Sequence, residues 1–184
     1  MKPIYLIRHG KTEANLHHLY CGSTDLPLAP EGIAELEKIH YALPPARFIT
    51  SGMKRTEETL RILFGDVPHL IYPAFREIDF GIFEMHSYQQ LQEDSAYIAW
   101  ISGDNERNTP PGGESGEAMC TRVVSAFEQL KAEDTPTVLI THGGVIAAIM
   151  SSRFSGENKS RYQWQPEPGL GYEILENGYR KIPF

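Results

Sequence analysis

Cysteine is scarce in this chain: Cys21 and Cys120 are the only two in 184 residues. They show neither CxxC spacing nor a disulfide framework, which leads us to expect a reducing, cytoplasmic setting. Long hydrophobic runs are absent as well. No stretch approaches the ~20 apolar residues of a membrane helix, so no membrane partner is expected. The N-terminus lacks a signal-peptide layout, because Lys2 and Pro3 precede an apolar run of only four residues. Positive charge is the minority: 17 Lys and Arg stand against 24 Asp and Glu, giving a net charge of -7, and no basic run occurs. Nucleic acid is therefore excluded as an expected partner, since backbone binding needs a basic stripe. Internal repeats, low-complexity tracts and linkers are missing too. The remaining composition, 41% hydrophobic and 22% charged, is that of an ordinary globular protein. A single domain over residues 1–184 is expected.

Strand-like and helix-like stretches alternate along the chain. Apolar runs at residues 3–7, 47–50, 69–72 and 136–141 read as strands. Between them, apolar periodicity predicts helices over residues 30–42, 54–64, 87–101, 114–131 and 145–153, the first opened by Pro30. Residues 171–175 and 179–182 predict a closing hairpin around Asn177-Gly178. Such alternation implies an α/β fold: a three-layer α/β/α sandwich with a mainly parallel sheet and an antiparallel edge. The loops over residues 9–29, 73–85 and 102–113 are longer than connections need to be, which marks them as functional.

Two strands end in the same way. Ile4-Tyr5-Leu6-Ile7 runs into Arg8-His9-Gly10, and Val138-Leu139-Ile140-Thr141 into His142-Gly143-Gly144. Ligands of open α/β sheets bind beyond the carboxyl ends of the strands, so paired imidazoles are expected to face one ligand. Arg55 follows a third strand at the start of a helix, on the same edge. Guanidinium forks such as Arg8 and Arg55 grip phosphate oxygens. Their charge should hold His9 neutral and nucleophilic, able to form a phosphohistidine. His142 would donate to the phosphoryl oxygens in the transition state. A leaving alkoxide needs a proton, and Glu77, Asp79 and Glu84 all qualify by chemistry alone. His17-His18 has no third ligand at metal-site spacing, so no metal is expected. Glu84 reads as a surface acid or as a structural partner for a loop N–H.

These residues carry a resemblance. Leu6-Ile7-Arg8-His9-Gly10-Lys11-Thr12-Glu13-Ala14-Asn15 resembles the signature of the histidine phosphatase superfamily, the phosphoglycerate mutase-like fold. Tyr20-Cys21-Gly22 with Asp25-Leu26-Pro27-Leu28 resembles its substrate loop, and Ser51-Gly52-Met53-Lys54-Arg55 its second-arginine motif. Glu77 with Phe80-Gly81 and Glu84, then Pro111-Gly112-Gly113-Glu114-Ser115 and Thr141-His142-Gly143-Gly144, complete the order over residues 2–150. The resemblance implies that His9 is phosphorylated and that Glu77 is the proton donor and later the base for water. Arg8, Arg55 and His142 then hold the phosphate, with Asn15, Cys21, Gly22 and Gly143 as further contacts. It implies a metal-independent enzyme without cofactor, acting on a small-molecule phosphate ester. Residues 80–86, 91–94 and 99–100 are similar to the α-ribazole phosphatases of that superfamily, Met85 replacing a glycine that most members carry. Removal of the 5′-phosphate of α-ribazole, or of the matching cobalamin phosphate, is the activity this implies. The alternatives are a broad sugar- or glycerate-phosphate phosphatase, a phosphoglycerate mutase-like enzyme, or a phosphate-binding module without activity. Lys11, Ala147 and Thr56 depart from the superfamily pattern; the first two are expected to affect which leaving group is accepted. Assembly stays open, a homodimer being one option.

Overall fold

In a computed structural model that describes residues 1–104 and 106–183, a six-stranded sheet runs in the order β3-β2-β4-β1-β5-β6. Its strands are β1 (Ile4–Arg8), β2 (Arg47–Thr50), β3 (His69–Ile71), β4 (Thr137–Thr141), β5 (Gly171–Leu175) and β6 (Gly178–Ile182). The first four are mutually parallel, while β5 and β6 are antiparallel and form the expected edge hairpin. Helices in chain order are α1 (Glu13–Leu16), α2 (Pro30–Leu36), α3 (Lys54–Phe64), α4 (Tyr88–Leu91), α5 (Ser95–Ile101), α6 (Gly116–Ala132), α7 (Gly143–Arg153) and α8 (Arg161–Trp164).

Side chains alternate across a strand, and the central strands bury both faces. Ile4, Leu6, Ile49 and Leu139 point into one core, shared with Met119, Val123 and Phe127 of α6 and Ile146 and Ile149 of α7. Tyr5, Ile7, Val138 and Ile140 point into the other, with Leu60 of α3. The three-layer sandwich is thus present. A third apolar cluster, Phe83, Leu91 and Tyr97 with Tyr20, Phe80 and Trp100 against them, meets the first core through Phe80.

Several expected elements are shorter. The helix expected over residues 30–42 stops at Leu36, because Tyr41 and Leu43 instead pack on the second core and the Tyr41 hydroxyl donates to Gly169 O at 2.7 Å. The helix expected over 87–101 is two. Ser87 caps α4, and Asp94 accepts from the Tyr97 N–H at 2.9 Å, starting α5 afresh. The expected 114–131 helix begins at Gly116, capped by Ser115, and the expected 145–153 helix begins two residues early, at Gly143. The loop of residues 9–29 contains α1, and residues 73–85 contain two 3₁₀ turns.

Candidate active site

The carboxyl ends of β1 and β4 lie side by side: Arg8 is in register with Thr141, and the His9 N–H donates to Thr141 O at 2.9 Å. This pairing delivers His9 and His142 together, their rings 5.1 Å apart in an edge-to-face arrangement. His9 is 6% exposed and His142 fully buried. The His9 Nδ1 lies 2.7 Å from Gly10 O, so Nδ1 carries the proton and Nε2 keeps its lone pair. Burial first, then the guanidinium charges of Arg55 and Arg8, push the His9 pKa well below its ordinary value. The ring is therefore a neutral base beside two cations.

His142 is fixed just as firmly. The Arg55 Nε–H donates to its Nδ1 at 3.3 Å, leaving Nε2 protonated and 2.9 Å from the Ser51 hydroxyl. Ser51 in turn meets the Thr56 hydroxyl at 3.2 Å, and Thr56 donates to Met53 O at 2.7 Å. That chain of donors ends on a backbone carbonyl and holds the ring neutral. Burial, followed by the Arg55 charge, lowers its pKa well below normal too.

Arg55 is 1% exposed. Its fork reaches Thr24 O at 2.8 Å and Gly22 O at 2.7 Å. A guanidinium has five N–H bonds, so with Nε given to His142 two remain for another acceptor. Arg8 donates to Pro166 O at 2.8 Å, and its buried Nε has no hydrogen-bond partner among the described residues. Buried donors are rarely left unpaired, and an oxyanion would satisfy this one. Burial lowers the pKa of Arg8, opposed by Glu77 and Glu167, and the group stays cationic.

The carboxylates separate by environment. Glu84 accepts from the N–H groups of Gly22, Ser23, Thr24 and Phe80 and from the Thr24 hydroxyl. It is the anchor of the 22–24 loop, as expected for a structural acid. Asp79 is taken up by Ser23 and the Gly81 N–H. Glu77 alone of the three lines the cavity, and its Oε2 accepts from the Gly144 N–H at 2.9 Å. Arg122 secures this segment from behind: it grips Glu114 through two nitrogens and donates to the carbonyls of Ala74, Arg76 and Glu77. Gly144 leaves room for this carboxylate: a Cβ there would lie 2.4 Å from Glu77 Oε1, so a side chain at 144 must push the Glu77 carboxylate aside. Gly144→Ala should therefore dislodge Glu77 and lower kcat by about 10²–10⁴, the usual worth of general acid–base catalysis, with Tm within a few degrees of the parent. Steady-state kinetics and a thermal melt check this; parental kcat in a folded variant would remove Glu77 from the reaction.

The cavity holds about 450 Å³, and Arg8, His9, Asn15, Cys21, Arg55, Glu77 and Gly143 line it. Asn15 also closes a capping box, its Oδ1 accepting from the Thr12 N–H at 2.9 Å. Two expected contacts sit behind the surface. Gly22 serves through its backbone, between Arg55 and Glu84, and His142 lies beneath His9 with its only N–H given to Ser51. Cys21 is a half-buried thiol whose pKa burial raises. The two departures expected to affect the leaving group do not line the cavity. Lys11 reaches Glu31 and Glu35 on α2, and Ala147 is buried in the first core.

Sequence reasoning missed the far wall. Trp100 and Ile101 of α5, Glu106, and Ser160, Arg161, Tyr162 and Gln165 around α8 complete the cavity with Tyr20, Ile78 and Phe80. Residues 155–168 lay beyond the resemblance, and four-residue helices have no periodicity to read. The one available signal was an arginine among aromatics, Arg161-Tyr162-Gln163-Trp164.

A profile described as the Histidine phosphatase superfamily (branch 1) matches residues 4–176, more than the motifs alone covered. The chain is 32% identical over 175 residues to the adenosylcobalamin/alpha-ribazole phosphatase of Salmonella typhimurium, covering 90% of this chain and 86% of that protein. It is also 32% identical over 170 residues to the 2,3-bisphosphoglycerate-dependent phosphoglycerate mutase of Cytophaga hutchinsonii, covering 82% and 76%. The crystal structure of a candidate alpha-ribazole-5′-P phosphatase from Escherichia coli superposes with a TM-score of 0.84 over 98% of this chain and 94% of that one; at 24% identity it attests the fold.

Proposed function

The chain belongs to the histidine phosphatase superfamily, and from that membership we propose that it is a phosphomonoesterase that removes the 5′-phosphate of α-ribazole or of the matching cobalamin phosphate. The observation that carries the chemistry is the His9 ring, whose Nδ1–H donates to Gly10 O and so leaves Nε2 unprotonated, flanked by Arg8 and Arg55. Nε2 attacks phosphorus as the ester P–O bond breaks, and Glu77 gives its proton to the leaving oxygen. Arg8 Nε and the two remaining Arg55 donors take the phosphoryl oxygens, and Asn15, Cys21 and Gly143 border them. His142 joins by exchanging Ser51 for a phosphoryl oxygen while it holds Arg55. Glu77, now a carboxylate, takes a proton from water as that water attacks the phosphohistidine; phosphate leaves and His9 is restored. Each transfer inverts at phosphorus, so the overall result is retention.

The α-ribazole assignment rests on the Salmonella relative and on the aromatic wall of Tyr20, Phe80 and Trp100, which suits a planar base on the leaving sugar. We place the enzyme in the cytoplasm as one domain over residues 1–184, on its free cysteines and on one sheet that runs from Ile4 to Ile182. No helix among the described residues is long and apolar enough to cross a membrane. A homodimer is the assembly we favour testing by light scattering. The deciding experiment is phosphate release from α-ribazole 5′-phosphate, 3-phosphoglycerate and p-nitrophenyl phosphate, compared by kcat/KM. We expect α-ribazole 5′-phosphate to lead by at least about tenfold, about 1.4 kcal/mol of transition-state preference. Preference for 3-phosphoglycerate, or no release from any ester, would overturn the reading.

A further inference from the structure

Membership alone does not choose between leaving groups, because a phosphatase and a mutase are both relatives at 32% identity. The two differ in chemistry beyond the phosphate. Glycerate carries a carboxylate, whereas α-ribazole is an uncharged aromatic riboside. The discriminating feature must lie in the half of the cavity away from His9.

That half contains one charged pair. Of the described residues lining the cavity, the charged ones are Arg8, Arg55, Glu77, Glu106 and Arg161. The first three belong to the phosphoryl end. Arg161, on α8, is bonded through Nη1 to Glu106, 55 positions earlier. Their side chains are 30% and 47% exposed, so the pair sits at the mouth and not in the core. The fold takes trouble to bring Glu106 there. Asn108 donates from one nitrogen to the carbonyls of Ala99, Trp100 and Ser102, tying its segment to the end of α5. The Glu117 N–H donates to Glu106 O at 2.9 Å. Gly116 leaves the room: a Cβ on it would lie 2.3 Å from Glu106 Oε2 and 3.0 Å from Arg161 Nη1.

We infer that the Glu106–Arg161 pair selects the leaving group, its cancelled charge denying a carboxylate-bearing alcohol an uncompensated cation while Tyr20, Phe80 and Trp100 receive an uncharged aromatic one. Recognition here works by withholding a partner as much as by supplying one. The inference rests on the phosphatase reading above and names the residues that narrow it.

A charge cycle tests it, read as the ratio of kcat/KM for 3-phosphoglycerate to that for α-ribazole 5′-phosphate in the full chain. Glu106→Gln leaves Arg161 as a net cation and should raise the ratio by about tenfold, the scale of one partly desolvated charge contact. Arg161→Gln leaves Glu106 as a net anion and should lower the ratio by a similar factor. The double variant restores neutrality, and its ratio should return to within about threefold of the parent. A merely structural pair would lower both rates in each single variant and leave the ratio fixed; that result, or ratios moving in the same direction in both single variants, overturns the inference. A folded parent that prefers 3-phosphoglycerate overturns the phosphatase reading itself, so the two failures are distinguishable. Thermal melts confirm that each variant is folded before its ratio is scored.

Discussion

His9→Ala should reduce phosphate release by at least about 10⁴, the scale on which removal of a covalent nucleophile acts, and leave a folded protein. The side chain lies beyond the last residue of β1 and is absent from both main cores, so its loss removes little apolar burial. The variant keeps Arg8, Arg55 and Glu77, and thus the means to bind phosphate. Rapid quench with labelled substrate provides the decisive reading. The parent should carry label on a phosphoramidate P–N bond, stable in alkali and lost in acid, and His9→Ala should carry none. Turnover retained in the variant, or an acid-stable label in the parent, would refute nucleophilic attack by Nε2.

Stability should fall steeply as the solution is acidified below pH 6.5. Burial, and then Arg55, hold the pKa values of His9 and His142 well below normal in the folded protein, whereas the unfolded chain titrates each near 6.5. Below that pH the unfolded chain binds two protons that the folded protein refuses. The contribution is therefore fully present above the unfolded pKa and is lost as pH drops toward the folded values. At full uptake the slope is about 2.7 kcal/mol per pH unit, twice that of one group. Between pH 7.5 and 5.0 stability should decline continuously, each of the two rings adding to the loss. Urea unfolding across that range measures it, and His9→Asn should show about half the slope. A flat profile would mean that the rings are already charged in the folded state. The same depressed values keep Nε2 nucleophilic in mildly acidic buffer, so activity should show no acid limb at the ordinary histidine pKa.

Most of the chemical end was legible in the sequence because it follows strand ends. Arg8, His9 and His142 each terminate an apolar run, and parallel pairing of β1 with β4 brings those ends together. Arg55 was legible for the same reason, one loop after β2. Residue type left Glu77, Asp79 and Glu84 equivalent; only the resemblance separated them before the hydrogen bonds of Asp79 and Glu84 did. The alternating fold was legible from apolar periodicity, whereas helix ends set by capping and by packing of Tyr41 were not. The far wall was invisible because Arg161 meets Glu106 across 55 positions and no local pattern announces such a contact.

The cluster of Tyr20, Phe80, Phe83, Tyr97 and Trp100 flanks the two cores that sandwich the sheet and joins the first of them through Phe80. Only Phe80 of this cluster touches the first core, and the half-buried rings of Tyr20 and Trp100 can be exchanged at less cost to the interior than the buried Phe83 and Tyr97. A lineage can thereby acquire a new substrate while inheriting its reaction unaltered, and a transplant of residues 78–108 together with Tyr20 and residues 160–165 between relatives should transfer preference without transferring mechanism.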